Sequence, residues 1–356
     1  MITLREFEAA ARECIDPVYF DYIAGAARDE VTARANEDGF ARLNLLPRVL
    51  RGSGKRDLSV ELFGSRASMP VFLSPTAFHK LVDSDGELAT VRAAAAAGAI
   101  MIAAMAATVS IGDTTAAAHE VMPEGCPNVW FQMYIQPDRD VTEMLVQRAT
   151  DAGCTALVVT VDSPVLGVNE RNKRNGFHDL PPGMACENLR NLIGNEPGNV
   201  RQIAMSADLH WEHLDWLRSI TSLPVILKGV LHPEDARLAV AHGVDGLLLS
   251  NHGGRQLDTV PATIDLLPEM VAAVGGHVPL LFDGGIRRGT DVVKALALGA
   301  AAVGIGRPVM WGLAVDGEAG VRQVLEILRD EVDHTMALCG AASLRDLTPD
   351  LVRSQR

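Results

Sequence analysis

Cysteine is scarce in this sequence: the 356 residues include only five cysteines, and no two of them form a C-x-x-C pair. Zinc sites and disulfide frameworks depend on clustered cysteines at regular spacing, so the scattered positions argue against both. We therefore interpret the cysteines as small, buried apolar residues of a protein from a reducing compartment. They are Cys14, Cys126, Cys154, Cys186 and Cys339.

An excess of positive charge is also missing. The 32 lysines and arginines are outnumbered by 45 aspartates and glutamates, which gives a formal net charge of −13 at pH 7. Such a chain is not attracted to nucleic acid or to an anionic membrane by charge, so neither is expected as a partner. A local basic pocket for a small anion is compatible with this balance.

Long apolar segments are absent as well. Residues 1–8 include acidic side chains and lack the apolar core of a secretory signal. The longest apolar stretch, residues 93–109, is interrupted by Gly98, consists largely of alanine and is too short to span a bilayer. These features predict a soluble, cytoplasmic protein without a membrane partner.

From about residue 70 onward, short apolar runs alternate regularly with longer helical stretches. Uniformly apolar strands are typical of a parallel sheet covered on both faces. An open doubly wound sheet would show the same alternation, but the count of eight strands favours a closed (β/α)8 barrel, the TIM barrel. The predicted strands are residues 71–74, 100–104, 129–134, 156–161, 225–228, 246–250, 279–283 and 302–305.

This α/β fold also predicts how the chain is divided. The sequence is 48% hydrophobic and 22% charged, which indicates a globular protein, and we expect residues 1–356 to form a single domain. Residues 1–69 are expected to be a helical segment that precedes a barrel over residues 70–340. Four glycines are expected to end helices in the left-handed conformation: Gly98, Gly153, Gly243 and Gly299.

One long irregular segment, residues 163–206, follows the fourth predicted strand. It is rich in proline and glycine, including Pro164, Pro181-Pro182-Gly183, Gly194 and Pro197-Gly198. Loops of this length are uncommon in compact domains and often serve as lids. Because the segment begins at the barrel face that carries active sites, we interpret it as a mobile active-site lid. An inert insertion is the alternative.

Residues 249–258 read as a strand that ends in a cluster of polar residues. His252 at such a strand end can accept a proton near neutral pH, and the planar fork of Arg255 matches a carboxylate. Gly253 and Gly254 would allow the backbone to approach a planar ligand closely. These residues contribute little to packing, so the segment predicts a catalytic site.

Two further segments have the composition of a phosphate site. Residues 281–289 and 305–308 follow the seventh and eighth strands and combine glycines with Arg287 and Arg307. Barrels often bind phosphate between these two loops. Lys228 ends the fifth strand, where it could stabilise an anion or, alternatively, form a Schiff base. Other polar residues at strand ends complete a ring: Gln132, Tyr134, Thr160 and Asp162.

The motifs Ser250-Asn251-His252-Gly253-Gly254-Arg255-Gln256-Leu257-Asp258 and Asp283-Gly284-Gly285-Ile286-Arg287-Arg288-Gly289-Thr290-Asp291 resemble those of the FMN-dependent 2-hydroxy acid oxidase and dehydrogenase family. The resemblance covers nearly the whole chain, from residues 21–22 to residues 335–338. It implies FMN as cofactor and oxidation of a 2-hydroxy acid to the 2-keto acid, with reoxidation by O2 to give H2O2. It also implies a homotetramer or homo-octamer.

The resemblance further implies roles for individual residues. Lys228 matches the lysine that stabilises the negative charge of reduced flavin, which displaces the Schiff-base interpretation. The residues that match the family's cofactor contacts are Pro75, Thr76, Ala77, Gln132, Thr160, Lys228, Ser250, Asp283, Gly284, Gly285, Arg287, Gly306 and Arg307.

The catalytic and substrate-binding residues follow from the same resemblance. His252 resembles the catalytic base, Asp162 the carboxylate that orients its ring, and Arg255 the clamp for the substrate carboxylate. Tyr22 and Tyr134 match the tyrosines that contact the carboxylate and the reacting oxygen. Removing a proton while two electrons pass to flavin requires a base, an oriented substrate and an electron acceptor, and these residues supply the first two.

Three positions depart from the family. Asn169 stands where most members have a second substrate-binding arginine, and Arg171 or Arg174 are the candidates to compensate for it. Ala106 stands where short-chain oxidases have tryptophan, and Ala104 stands where a flavin-contacting hydroxyl is common. A lost charge and a smaller wall predict a larger or less conventional substrate than glycolate or lactate. Ordinary drift with compensation elsewhere is the alternative.

Two other functions remain open from the sequence. The first keeps FMN but oxidises a non-carboxylate alcohol, an amine or a peptide-derived group, as the loss of an arginine at Asn169 would allow. The second is a non-redox phosphate-binding barrel, an aldolase or an isomerase.

Overall fold

The N-terminal segment contains strands as well as helices. The computed structural model describes residues 1–122, 128–192, 198 and 200–355, so Cys126, Gly194 and Pro197 lie outside the described residues. The prediction of a helical segment before the barrel is correct for three helices but missed three short strands. These elements are α1 (Leu4–Cys14), α2 (Pro17–Ala24), α3 (Val31–Ala41), β1 (Leu43–Leu45), β2 (Val60–Leu62) and β3 (Ser65–Ala67).

Eight parallel strands close into a barrel, which confirms the predicted fold. Every residue of these strands is buried, as expected for apolar runs covered by side chains inside and by helices outside. Neighbouring strands follow chain order, and the last strand pairs with the first. The strands are β4 (Val71–Leu73), β5 (Met101–Ala104), β6 (Val129–Met133), β7 (Leu157–Thr160), β8 (Val225–Lys228), β9 (Gly246–Leu249), β10 (Leu280–Asp283) and β11 (Ala302–Ile305).

Helices connect the barrel strands and cover their outer faces. All four glycines predicted to end helices, Gly98, Gly153, Gly243 and Gly299, have positive φ. The last helix is interrupted at Asp316 and Gly317, where the backbone is not helical. The helices are α4 (Glu87–Ala96), α5 (Ile111–Val121), α6 (Arg139–Asp151), α7 (Glu170–Asn175), α8 (Trp211–Ser219), α9 (Pro233–Ala241), α10 (Thr263–Val274), α11 (Gly289–Ala297) and α12 (Arg307–Cys339).

The hairpin of β2 and β3 closes the amino-terminal end of the barrel. Leu62 and Ala67 pack with the side chains that fill the barrel interior, among them Phe72 and Trp130. The indole of Trp130 donates to Ser65 Oγ over 3.1 Å, which ties the hairpin to β6. The hairpin thus fills this end of the barrel, and the carboxyl ends of the strands are left for a ligand.

Helix α3 packs against the carboxyl ends of the strands. The carboxylate of Asp258 accepts the backbone N–H groups of Asp29, Val31 and Thr32, at 3.1, 3.3 and 2.9 Å, and so satisfies the first N–H groups of this helix. The strand β12 (Val352–Ser354) pairs antiparallel with β1, so that the chain ends beside the N-terminal segment.

The segment 163–206 is not structureless. It contains helix α7 and a short 3-10 turn at Glu187–Leu189, and Arg190 pairs with Val200 in an isolated bridge. Its mobility as a lid remains a prediction.

The cysteines follow the expectation only in part. Cys154 and Cys339 are buried, but Cys14 is exposed and Cys186 is half-buried, and all four are free thiols. Cys14 lies in the last turn of α1, where its Sγ donates to the carbonyl oxygen of Ala314 over 3.4 Å. None of the described helices is both long enough and apolar enough to cross a membrane.

Candidate active site

A cavity of about 700 Å³ opens at the carboxyl ends of the barrel strands. This volume lies in the range of small-molecule sites, and its lining includes residues from the ends of all eight strands. The closed barrel of parallel strands therefore brings together residues that are far apart in sequence. The predicted site residues that line it are Tyr22, Pro75, Thr76, Ala77, Ala106, Gln132, Tyr134, Thr160, Asn169, Lys228, His252, Arg255, Asp283, Gly284, Gly285, Arg287, Gly306 and Arg307.

His252 and Asp162 form the predicted base and its orienting carboxylate. His252 Nδ1 donates to Asp162 Oδ1 over 2.9 Å. Because an ionised carboxylate only accepts, Nδ1 carries the ring proton and Nε2 is the basic nitrogen of a side chain that lines the cavity. His252 adopts a φ of 56°, an uncommon conformation for a residue with a side chain, and Gly253 follows at 62°.

Asp162 remains charged although it is nearly buried. Burial alone would raise the pKa of its carboxyl, but the interaction with the His252 ring and the positive charge of Lys228 hold that pKa well below its usual range. Ser163 Oγ adds a hydrogen bond to Asp162 Oδ1 over 2.8 Å. Gln256 connects this pair to the cavity wall, since its amide donates to Ser163 Oγ and its Oε1 accepts the N–H of Gly167.

Arg255 is anchored in a way that leaves part of its fork facing the cavity. Its Nη1 donates to the carbonyl oxygens of Tyr22 and Gly25, at 2.8 and 2.9 Å. Its guanidinium carbon lies 5.0 Å from the centre of the Tyr22 ring. The guanidinium also hydrogen-bonds to the Tyr22 side chain. Within the described part of the chain, Nε and Nη2 bond to no carbonyl oxygen and no carboxylate, so they face the cavity as donors for a carboxylate.

Two tyrosine hydroxyls remain protonated beside this arginine. Burial, followed by the charge of Asp162, raises the pKa of Tyr134, and burial also raises the pKa of Tyr22 against the opposing charge of Arg255. Both groups can therefore donate hydrogen bonds to a bound anion at any ordinary pH.

Lys228 is 3% exposed at the end of β8 and lines the cavity. Among the described residues its ammonium group has no hydrogen bond and no ion pair. Gln132 and Thr160 lie beside it on the neighbouring strands and are joined by a hydrogen bond of 3.0 Å. A buried ammonium group with no partner is suited to a ligand that gains negative charge.

The loops that follow β10 and β11 give the cavity wall an excess of positive charge. Arg287 pairs with Glu37 over 2.8 Å, but its Nε is buried without a partner. Arg307 bonds only to carbonyl oxygens, those of Ile23, Gly25 and Gly253. Burial, and then the charges of Arg255 and Arg287, lower the pKa of Arg307 to about 9, so an anion bound here would relieve an uncompensated charge.

The residues present fit FMN. The arginines at 287 and 307 would hold its phosphate, and Lys228 with Gln132 and Thr160 would face its ring system. Asp283 Oδ2 accepts from Ser74 Oγ, whereas Oδ1 is buried without a partner and is suited to a ligand hydroxyl.

The structure adds a second requirement for glycine at two of the predicted site positions. A Cβ on Gly254 would lie 2.7 Å from the backbone N of Ala33, and one on Gly285 would lie 2.1 Å from the carbonyl oxygen of Asn36. Both glycines are thus required by the close approach of helix α3 as well as by their positive φ. Of Gly253 and Gly254, only Gly253 lines the cavity.

Ser250 is not among the residues that line the cavity. It is fully buried, and its Oγ accepts the backbone N–H of His252 over 3.1 Å. This bond fixes the backbone at the base, and the contact of Ser250 with the cofactor stays a prediction.

Neither arginine near Asn169 compensates for the missing family arginine. Asn169 Oδ1 caps helix α7 by accepting the N–H groups of Arg171 and Asn172. Arg171 pairs with Asp21 and Glu30, at 3.3 and 2.5 Å. Arg174 pairs with Glu170 over 2.7 Å. Both guanidinium groups are therefore committed to carboxylates of the protein.

Several residues that support the site were missed from the sequence. Asn36 of α3 exchanges two side-chain hydrogen bonds with Asn251, at 2.9 and 2.7 Å, and holds the helix on the His252 loop. Phe78 has a φ of 63° and stacks on Tyr22 with ring centres 5.7 Å apart. Ser163 directly follows Asp162, and this adjacency was the one signal that could have identified it.

Comparison with known proteins supports the arrangement. The sequence model of the FMN-dependent dehydrogenase family matches residues 11–354. Glycolate oxidase 1 of Oryza sativa subsp. indica is 46% identical over 351 residues, which are 96% of this chain and 93% of that protein. 2-Hydroxyacid oxidase 1 of Homo sapiens is 44% identical over 364 residues, 99% of this chain and 96% of that protein.

Solved structures are similar over the same length. A mandelate oxidase mutant with (S)-mandelic acid has a TM-score of 0.90 and 40% identity, covering 100% of this chain and 98% of that one. A mandelate oxidase structure with benzoylformic acid gives the same values. With the base, the arginine clamp and the anion site in one cavity, these matches show that the chain belongs to the FMN-dependent dehydrogenase family and has FMN as its cofactor.

Proposed function

We propose that this protein oxidises a 2-hydroxy acid larger than glycolate or lactate to the 2-keto acid, with O2 as the electron acceptor. The observation that carries the oxidation is a single cavity that holds a carboxylate-ready arginine, Arg255, and a carboxylate-oriented base, His252. Relatives named glycolate oxidase and 2-hydroxyacid oxidase support the class of reaction.

The residues divide the reaction between them. Arg255, with the hydroxyls of Tyr22 and Tyr134, binds the substrate carboxylate and fixes the orientation of the reacting carbon. His252 Nε2 accepts the proton that leaves the substrate, and Asp162 stabilises the resulting imidazolium through Nδ1. Bound FMN supplies the two-electron acceptor. Lys228 stabilises negative charge at the ring end of the cavity.

Two features of the wall support the larger substrate. Ala106 lines the cavity with a methyl group, and Asn169 caps a helix instead of extending a charged side chain. Structures of mandelate oxidase contain (S)-mandelic acid and benzoylformic acid, an aromatic 2-hydroxy acid and its keto acid. A screen in which glycolate or lactate reacted far faster than any bulky 2-hydroxy acid would contradict this part of the proposal.

Filling the wall should narrow the range of substrates. We expect Ala106→Trp to lower kcat/KM for an aromatic 2-hydroxy acid by about 10-fold or more, because the added ring occupies the space of the substrate side chain. The value for glycolate should change much less. Steady-state kinetics with both acids measure the effect, and Ala106→Ser, which barely changes the volume at the same position, is the control. If kcat/KM fell equally for both acids, the side chain of the substrate would not lie against residue 106.

The proposal also covers the electron acceptor and the oligomeric state. Stoichiometric H2O2 release during turnover in air would support O2, whereas turnover only with an added dye would identify a dehydrogenase. The homotetramer or homo-octamer that the resemblance implies stays part of the proposal. Three exposed apolar side chains, Val165, Leu166 and Leu257, are candidates for the contact between subunits. Neither a non-redox barrel nor a non-carboxylate substrate is favoured, since the family is FMN-dependent and Arg255 keeps donors that face the cavity.

A further inference from the structure

A buried polar cluster lies directly beneath the turn that follows β4, and the reaction above does not use it. The turn consists of Pro75, Thr76, Ala77 and Phe78, all of which line the cavity. Below it, His79, Glu87, Thr90 and Thr108 are each 3% exposed or less. Buried polar groups of this kind are costly unless their hydrogen bonds are satisfied, so their pairing is informative.

Both nitrogens of the His79 ring are engaged with threonine hydroxyls. Nδ1 lies 2.9 Å from Thr90 Oγ1, which also lies 3.2 Å from the carbonyl oxygen of Gly86. Nε2 lies 2.7 Å from Thr76 Oγ1. Burial lowers the pKa of His79 and so favours a neutral ring.

Glu87 fixes the same turn from its other side. Its Oε1 accepts the backbone N–H groups of His79 and Thr108, at 3.2 and 2.8 Å, and its Oε2 accepts Thr108 Oγ1 over 2.6 Å. Phe78, just before His79, is held at a φ of 63° and donates its N–H to Ala106 O over 3.2 Å. The turn is thus held in an uncommon conformation by bonds to buried groups.

The consequence for the cavity concerns the Thr76 hydroxyl. Because Thr76 Oγ1 is engaged with His79 Nε2, the hydroxyl is turned towards the buried cluster, and the methyl group of Thr76 faces Gly306, 3.4 Å from where a Cβ on that glycine would lie. Phe78 belongs to the same turn and reaches the substrate side of the cavity. It stacks on Tyr22, whose ring contacts Arg255.

We propose that His79 is a positioning residue for the cofactor, which it orders by holding the Thr76 hydroxyl turned out of the cavity and the turn 75–78 in its binding conformation. The proposal rests on FMN occupying this cavity. In the absence of His79, the Thr76 hydroxyl is released to rotate into the cavity, and two buried partners lose their hydrogen bonds.

The test compares His79→Leu, which removes both ring nitrogens, with His79→Gln, whose amide offers one acceptor and one donor at a similar reach. We expect the FMN dissociation constant of the apoprotein, measured by quenching of flavin fluorescence, to rise at least 10-fold in His79→Leu. His79→Gln should stay within about threefold of the wild type. The visible absorption bands of bound flavin should shift in His79→Leu and be restored in His79→Gln.

Thr76→Val provides a second, nearly isosteric variant if His79→Leu does not fold. Thr76→Val should weaken FMN binding to a similar extent. Because both substitutions remove the same hydrogen bond, the FMN dissociation constant of the double variant should be no higher than that of the weaker-binding single variant. Folded variants with a wild-type FMN dissociation constant, or a His79→Gln variant as defective as His79→Leu, would overturn the proposal. A wild-type apoprotein that binds no FMN would instead refute the function proposed above.

Discussion

Replacing His252 by alanine is expected to leave FMN bound while slowing anaerobic reduction of the flavin by substrate about 10²- to 10⁴-fold. The imidazole is the base of the cavity, and its Nδ1 bond to Asp162 leaves Nε2 to accept the substrate proton. The phosphate end, at Arg287 and Arg307, lies on other strands and does not depend on this side chain. Stopped-flow absorbance of the flavin measures the rate directly.

Asp162→Asn is a second, independent test of the same base. It keeps the shape of the side chain but removes the charge that stabilises the imidazolium, so reduction should also slow, with the flavin still bound. His252→Ala that retained more than about a tenth of the wild-type rate of reduction would mean that another group is the base.

Arg255→Met is expected to lower kcat/KM for 2-hydroxy acids by about 10²-fold or more, a loss of about 3 kcal/mol in transition-state stabilisation. The Nε and Nη2 of this arginine are the charged donors that its anchoring on the carbonyl oxygens of Tyr22 and Gly25 leaves to the substrate. With Asn169 engaged as a helix cap and Arg171 paired with Asp21 and Glu30, no second arginine from this segment replaces it. Steady-state kinetics on the acid preferred by the wild type measure the loss.

A neutral analogue distinguishes a lost clamp from general damage to the site. On an amide of the same 2-hydroxy acid, wild type and Arg255→Met should differ much less than on the acid, because the charge that the arginine binds is gone. Arg255→Lys keeps the charge without the planar fork and should be intermediate. A variant at Arg255 with wild-type kcat/KM on acids would favour the non-carboxylate substrate.

The fold was predictable because its signal is local. Each barrel strand is a largely apolar run of three to five residues, such as Val225–Lys228, and a count of eight such runs indicates closure. The strands that were missed are three residues long, and their partners are set by tertiary contacts. β1 pairs with the far end of the chain, Asn44 opposite Arg353, and a single sequence contains no trace of that pairing.

The site was predictable for a related reason. Parallel strands place all their carboxyl ends on one rim, so His252, Asp162 and Lys228 converge once the strands are known. What could not be read is which neighbour each residue faces. Gly285 faces the backbone of Asn36, and Asp258 caps a helix more than two hundred residues earlier in the chain, contacts that depend on how α3 docks.

The most direct measurement is anaerobic mixing of the purified, flavin-loaded protein with a panel of 2-hydroxy acids graded by side-chain size. The flavin should lose its visible absorbance in one kinetic phase, faster with aromatic or long aliphatic acids than with glycolate, and the 2-keto acid should form in equal amount. If FMN is bound and no acid of the panel bleaches it, the chemistry assigned to this cavity is wrong.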